Sequence, residues 1–283
     1  IHTGSMTAKM SCGFDLGRLL IGSEGTLAII IDATLRLLPL QPAKATLQIW
    51  FTSEHAAAAM VPILLQCPST PCALEFMDQA CLTLLRAHSS LSIPTGAQAL
   101  LMIEVDGLAE ALPEIITVIS QLCQKEGCLK IDSALTPQAR EQLWRLRKAL
   151  SPTLRKLAPH KINEDVVVPI NRLPVLLVEL QALAARYQFT MVNFGHIGSG
   201  NLHVNVLLQT LAAPMPAKVD LYLAELFQLV LRLDGCLSGE HGIGLDKKPF
   251  MKDALSASTL ALMRSIKAQF DPLAILNPDK LFS

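Results

Sequence analysis

Two clusters in the last third of the sequence combine residue types that do chemistry. The first is Gly195-His196-Ile197-Gly198-Ser199-Gly200-Asn201-Leu202-His203-Val204-Asn205, where two histidines flank a turn containing three glycines. If 202–208 forms a strand, His203 and Asn205 share one face and Leu202, Val204 and Val206 the other. A glycine turn can then bring His196 beside His203, and two converging imidazoles make half of a site for a borderline-soft divalent metal. The alternative is two ordinary polar residues at a hairpin. The second cluster is Ser238-Gly239-Glu240-His241-Gly242-Ile243-Gly244. Glu240 would serve as a third ligand, leaving one coordination position for substrate, as catalytic metals require. Adjacent residues in extended backbone point apart, so His241 suits an acid or base beside the metal better than a fourth ligand. The alternative is a glycine loop with a solvated charge pair.

Two further segments carry weaker signals. On a helix Arg147 and Ser151 stand four apart and share a face. With Lys161 they offer a guanidinium, a hydroxyl and an ammonium, a set suited to a carboxylate, although on these residues alone a solvated basic face is the better explanation. Gly22-Ser23-Glu24-Gly25-Thr26 lets backbone approach a phosphate or flavin closely. It matches neither a Walker loop nor Gly-x-Gly-x-x-Gly.

The elements that must position these residues follow from periodicity and punctuation. Residues 1–43 read as a turn and then strands, with Leu27–Leu38 rich in Ile and Leu and ended by Pro39 and Pro42. Strands are expected at 46–51, 73–77 and 99–105, a helix from Ser53-Glu54 to about Gln66, and another over 108–126 ending near Gly127. Thr136-Pro137 starts a helix that Pro152 breaks or kinks. A β-branched run at 166–170, a helix over 173–187, strands at 189–194 and 202–208, and helices at 219–233 and 258–270 complete the pattern. Together they predict an α+β fold, a mainly antiparallel sheet with helices on one face.

Composition narrows the function classes. Twenty-four basic and twenty-four acidic residues give a formal charge of +0 in 283 residues. A neutral chain exerts no general pull on nucleic acid, so binding driven by backbone phosphates is excluded as a main activity. With 51% hydrophobic and only 17% charged residues, the chain is no disordered polymer, and part of its surface is expected to be covered. A second copy in a homodimer is one candidate cover. No apolar stretch is long enough to span a bilayer. Ile1-His2-Thr3-Gly4 is neither signal nor transit peptide and lacks an initiator Met; the expected location is cytoplasmic, with targeting by an absent N-terminus left open. The seven cysteines show no paired zinc spacing and read as reduced thiols.

These motifs, in this order, resemble the C-terminal part of the FAD-linked oxidases, the flavoprotein family of D-lactate dehydrogenase, D-2-hydroxyglutarate dehydrogenase and the glycolate oxidase D subunit. Cys12-Gly13-Phe14-Asp15-Leu16 and Ile275-Leu276-Asn277-Pro278-Asp279-Lys280 add to the match, which covers essentially the whole chain. The resemblance implies a divalent metal, usually zinc with manganese an alternative, held by His196, His203 and Glu240, with His241 taking the substrate hydroxyl proton. It implies substrate contacts from Asn205, Arg147, Ser151 and Lys161. It places Ser11, Gly13, Gly22, Glu24, Gly25, Thr26 and Ile29 at FAD, and Asn277 near the flavin ring. The implied reaction is FAD- and metal-dependent oxidation of a D-2-hydroxy acid (2-hydroxyglutarate, lactate or glycolate) to the 2-oxo acid. The electron acceptor, whether an electron-transfer flavoprotein, a cytochrome, a quinone or oxygen, is left open.

The sequence also departs from the family pattern. Ser199 stands where relatives have Asp in the His–His motif, Ala28 where they have Gly after Gly-Thr-Leu, and Asp279 where they have Gly before the lysine. Relatives carry an N-terminal flavin-binding portion with its own glycine-rich loop. Residues 1–43 read as its C-terminal remnant, 44–233 as the substrate-binding domain, and 234–283 as the segment with the Glu-His motif and a flavin-facing tail. A fragment or one half of a split protein is therefore expected, with the flavin-binding portion as its partner. The competing functional readings are a truncated, flavin-free interaction module and a hydrolase using the same metal with an activated water.

Overall fold

A computed structural model of the chain describes residues 1–282. In chain order the elements are α1 (Leu16–Leu20), β1 (Ala43–Phe51), α2 (Glu54–Leu65), β2 (Ala73–Met77), α3 (Gln79–His88), β3 (Ala99–Gly107), α4 (Leu112–Cys123), β4 (Cys128–Ala134), α5 (Pro137–Leu157), β5 (His160–Val167), α6 (Leu173–Tyr187), β6 (Thr190–Gly195), β7 (Asn201–Leu208), α7 (Met215–Arg232), α8 (Met251–Ala254) and α9 (Ala257–Phe270). They gather into two compact units, Pro39–Gly239 and a smaller one combining Ile1–Leu38 with the segment from Glu240 onward. Residues 234–239 thus belong with the larger unit.

The larger unit is built on a seven-stranded sheet of order β4-β1-β3-β2-β6-β7-β5, each pair antiparallel. The last seven residues of β1 and all eight of β7 are buried. Successive strand residues point to opposite faces, so such runs require cover on both sides. The helices divide accordingly. On one face α3 and α5 bring Leu82, Leu85, Leu146, Leu150 and Leu154 into a core with Trp50, Met77, Leu100, Met102, Val192 and Phe194. The alternate residues Leu47, Ile49, Phe76, Leu101 and Ile103 are equally buried, and α2, α4, α6 and α7 pack against one another. The α+β class with an antiparallel sheet is as expected; the helices occupy two faces rather than one because the strands are apolar on both. Each fully buried leucine contributes roughly 2 kcal/mol of transfer free energy towards this arrangement.

Local chemistry explains the element boundaries. Ser53, Asp78 and Thr136 cap α2, α3 and α5 by accepting backbone N–H bonds from Ala56, Cys81 and Ala139. Helix α5 runs through Pro152 instead of breaking there. The lost hydrogen bond is offset by Leu150 and Leu154, both fully buried. Residues 27–38, expected as strand, take no regular structure. Ile29, Ile31, Leu35 and Leu38 are 75%, 90%, 77% and 81% exposed. A β-branched run becomes a strand only against a neighbouring strand, and no strand of the described residues pairs with it.

Asp78 is buried at the start of α3 and accepts from the backbone N–H groups of Cys81 at 2.7 Å and Asn193 at 2.6 Å, tying the helix to β6. Burial, reinforced by the nearby Glu54 charge, raises its pKa to about 7. A raised carboxyl pKa means the fold prefers the protonated acid. Its stabilising contribution is complete below the ordinary value of 3.8 and is lost as pH rises through about 7. In Asp78→Asn this dependence is absent. Melting temperatures of the two proteins should therefore move in the variant's favour as pH rises across that window; a constant offset would contradict the assignment.

Candidate functional site

The two histidines of the first motif are placed by the β6–β7 connection. After Gly195 the chain makes a short 3-10 turn, Ile197–Ser199, and enters β7 through Gly200 at φ +78°. A Cβ at Gly200 would stand 2.1 Å from the Val168 carbonyl oxygen, so only glycine allows this return. His196 and His203 consequently face each other, ring centroids 5.3 Å apart at 83°. His203 is buried, whereas the His196 side chain is 45% exposed.

Register defines the rest of that sheet face. Phe194, His203 and Asp165 lie opposite one another across β6, β7 and β5, as do Val192, Asn205 and Asn163. Directly opposed residues share a face, and Lys161, two residues before Asn163, is on it too. Asn205 is fully buried and donates through Nδ2 to the carbonyls of His203 at 3.0 Å and Val192 at 3.2 Å. Its Oδ1 and that of Asn163 are buried with no hydrogen-bond partner among the described residues. Such acceptors are suited to a hydroxyl or water donor. The Lys161 ammonium is held below its ordinary pKa, chiefly by desolvation and then by the Arg155 charge.

Two acids organise this face, and neither was singled out from the sequence. Glu75 on β2 ion-pairs through Oε2 with Arg147 Nε at 2.8 Å and through Oε1 meets His196 Nδ1. The Arg147 guanidinium also lies 4.6 Å over the Phe194 ring. Asp165 is fully buried and accepts from Ser238 Oγ at 3.1 and 3.2 Å and from the Gly239 amide at 2.8 Å. Val167 and Cys236 exchange backbone bonds beside it, so the segment 235–239 is fastened to β5. A Cβ at Gly239 would stand 1.8 Å from Asn201 Nδ2, so the approach needs glycine. Glu75 interrupts an otherwise apolar strand segment, Ala-Leu-Glu-Phe-Met, and that interruption was the available signal. Asp165 closes the polar run Asn163-Glu164-Asp165, where nothing marked it out.

Glu240 follows Gly239 directly and is carried by that peptide bond. His196 and His203 offer two imidazole donors and Glu240 a carboxylate. Two imidazole nitrogens and a carboxylate oxygen fit a three-ligand zinc site with one position open.

The smaller unit holds the remaining candidates. Glu24, at φ +52°, uses its carboxylate to accept the amides of Ile243 at 2.7 Å and Gly244 at 2.8 Å. Its carbonyl accepts from Asn277 Nδ2 at 2.5 Å. The loop bearing His241 is thereby secured, with His241 Nε2 4.0 Å from Glu240 Oε1. Thr26 is buried and donates to the Ser23 carbonyl at 2.7 Å, and Lys267 donates to the Thr26 carbonyl at 2.6 Å. Gly22, Glu24, Gly25 and Ile29 help line an open hollow of ≈470 Å³. No heavy atom lies within 4 Å of a Cβ built at Gly22, so a ligand can rest on bare backbone there, as a flavin cofactor would. Ser11 and Gly13 lie on an exposed irregular segment. Ser151 is half-buried on α5, one turn beyond Arg147.

Comparison with known proteins now decides the family. A model of the FAD linked oxidases, C-terminal domain, matches residues 40–281. The chain belongs to this family. It is 34% identical over its full length to a glycolate oxidase subunit GlcD of Bacillus subtilis, covering 60% of that protein. Against a D-2-hydroxyglutarate dehydrogenase of Xanthomonas citri pv. viticola it is 37% identical, again covering 60% of the relative. Against a D-lactate dehydrogenase of Anaerostipes hadrus it is 30% identical and covers 61%. The chain thus spans about 60% of the length of these FAD-linked relatives. Among solved structures, p-cresol methylhydroxylase superposes with a TM-score of 0.66 at 14% identity, over 86% of this chain and 53% of that one. That likeness establishes the fold of this FAD-linked oxidase domain alone. No helix among the described residues is long and apolar enough to cross a membrane.

Removing the Asp165 carboxylate should loosen the 235–239 segment. In Asp165→Ala the Gly239 amide loses its 2.8 Å carboxylate acceptor and keeps only the longer bond to the Asp165 backbone carbonyl at 3.2 Å, at a cost of about 1–3 kcal/mol. Hydrogen exchange at Gly239 and Cys236 should accelerate, and unchanged protection would show that the segment is held by something else.

Proposed function

We propose that this chain carries the substrate- and metal-binding part of an FAD-dependent enzyme that oxidises a D-2-hydroxy acid to the 2-oxo acid. The observation that carries the reading is the facing pair His196 and His203, ring centroids 5.3 Å apart, with the carboxylate of Glu240 next in the chain after Gly239. Membership in the FAD-linked oxidases supports it, as do relatives named for glycolate, D-2-hydroxyglutarate and D-lactate.

His196, His203 and Glu240 would hold a divalent cation, zinc by the chemistry of the set. Gly22, Glu24, Gly25, Thr26 and Ile29, with Ser11, Gly13 and Asn277, would hold FAD. When bound, the flavin provides the two-electron acceptor and the cation a Lewis-acidic centre. The chain's own residues do the rest. His241 accepts the proton of the substrate 2-hydroxyl at an imidazole nitrogen. The Arg147 guanidinium, pinned at Nε, keeps its Nη groups for a carboxylate, with Ser151 and Lys161 as further donors. Asn205 offers its buried Oδ1 to a substrate donor. Rigid placement on strands and on α5 fixes the reacting carbon, which is worth more than additional attraction. Two cationic groups favour a dicarboxylate such as 2-hydroxyglutarate over lactate or glycolate.

Metal analysis tests the central claim. The purified chain should retain about one zinc or manganese ion per molecule. His196→Ala should abolish that retention while the far-ultraviolet circular dichroism stays unchanged. No bound metal in the wild-type chain after incubation with zinc overturns the reading.

A further inference from the structure

Glu75 divides its two oxygens between residues with different proposed tasks. Oε2 takes Arg147 Nε at 2.8 Å and Oε1 takes His196 Nδ1. The carboxylate is 8% exposed and the Arg147 side chain 16%, so the ion pair is largely shielded from water. Glu75 projects from the middle of β2, whose next residues pair with β6 through Phe76 opposite Gly195 and Met77 opposite Phe194. It therefore lies on the face that bears Phe194 and His203, close to where the chain turns off into His196.

We propose that Glu75 is a positioning residue: one carboxylate sets the tautomer and direction of His196 while anchoring Arg147. This rests on the metal reading of His196 given above. A carboxylate at Nδ1 requires that nitrogen to carry the proton, which leaves the Nε2 lone pair as the only one available to a cation. The negative charge behind the ring also makes Nε2 a better donor. At the other oxygen, an Arg held at Nε cannot swing about its last torsions, so its Nη edge is presented in one orientation. Phe194, stacked beneath the guanidinium, restricts it further. The metal-binding arm and the carboxylate-binding arm are thus referenced to a single side chain on a central strand.

Glutamine at this position keeps the volume but offers one acceptor and one donor where two donors converge. In Glu75→Gln, zinc affinity measured by chelator competition should fall about 10- to 100-fold. Nitrogen-15 NMR of the metal-free wild-type chain at mildly alkaline pH should show His196 as the Nδ1–H tautomer and Arg147 Nε–H protected from exchange. Both signatures should be lost in the variant, with an unchanged circular dichroism spectrum. Equal zinc affinity in wild type and variant overturns the proposal. So does an Nε2–H tautomer in the wild-type chain, a result that stands even if Glu75→Gln fails to fold. If the wild-type chain binds no zinc, the metal reading falls, and the His196 tautomer alone then decides the role of Glu75.

Discussion

A sheet covered on both faces has no water to spare for a charge, and this governs where polar side chains can sit in the larger unit. An acid placed there without partners costs several kcal/mol. Glu75, Asp78 and Asp165 are accordingly each met by donors: an arginine and an imidazole, two backbone amides, and a serine with a glycine amide. These partners lie far apart in sequence, so satisfying the acids also fixes tertiary geometry. Asp78 joins α3 to β6, Asp165 joins the 235–239 segment to β5, and Glu75 joins β2 to α5 and to the β6–β7 turn. The polar groups of the site are thereby the joints of the fold.

The same face does two jobs along its width. Around Trp50, Leu100 and Met102 it is a core closed by α5. Towards β7 and β5 the opposed residues become His203, Asn205, Asn163 and Asp165. Helix α5 takes part in both, with Leu146, Leu150 and Leu154 in the core and Arg147 held by Glu75. The packing that stabilises the helix also sets the height of the guanidinium above the sheet. A packing defect beneath Leu150 would be felt at Arg147 as displacement.

Much of this was legible in the sequence, for identifiable reasons. Strand β2 and helix α6 match their expected bounds residue for residue, and α2 and α9 nearly so, because Ser53, Ser256 and the flanking turns punctuate them clearly. The pairing of His196 with His203 followed from glycine spacing and strand alternation. Helix α3 and strand β4 were missed: α3 is short, and β4 alternates without a strong apolar face, with only Ala134 buried. The 27–38 run was read as strand because propensity was counted without a pairing partner. Pro152 was read as a break or a kink because local propensity says so, and the long-range packing of Leu150 and Leu154 carries the helix through it without a break. The tasks of Glu75 and Asp165 were hidden because hydrogen-bond partnership across 72 or 74 residues has no sequence period.

Glu24 has a genetic consequence. Its main chain forms part of the glycine turn, while its carboxylate holds the amides that follow His241. Any amino-acid substitution there bears on both segments in one step. Substitutions elsewhere in the turn or the loop touch one of them alone, whereas one at Glu24 couples them.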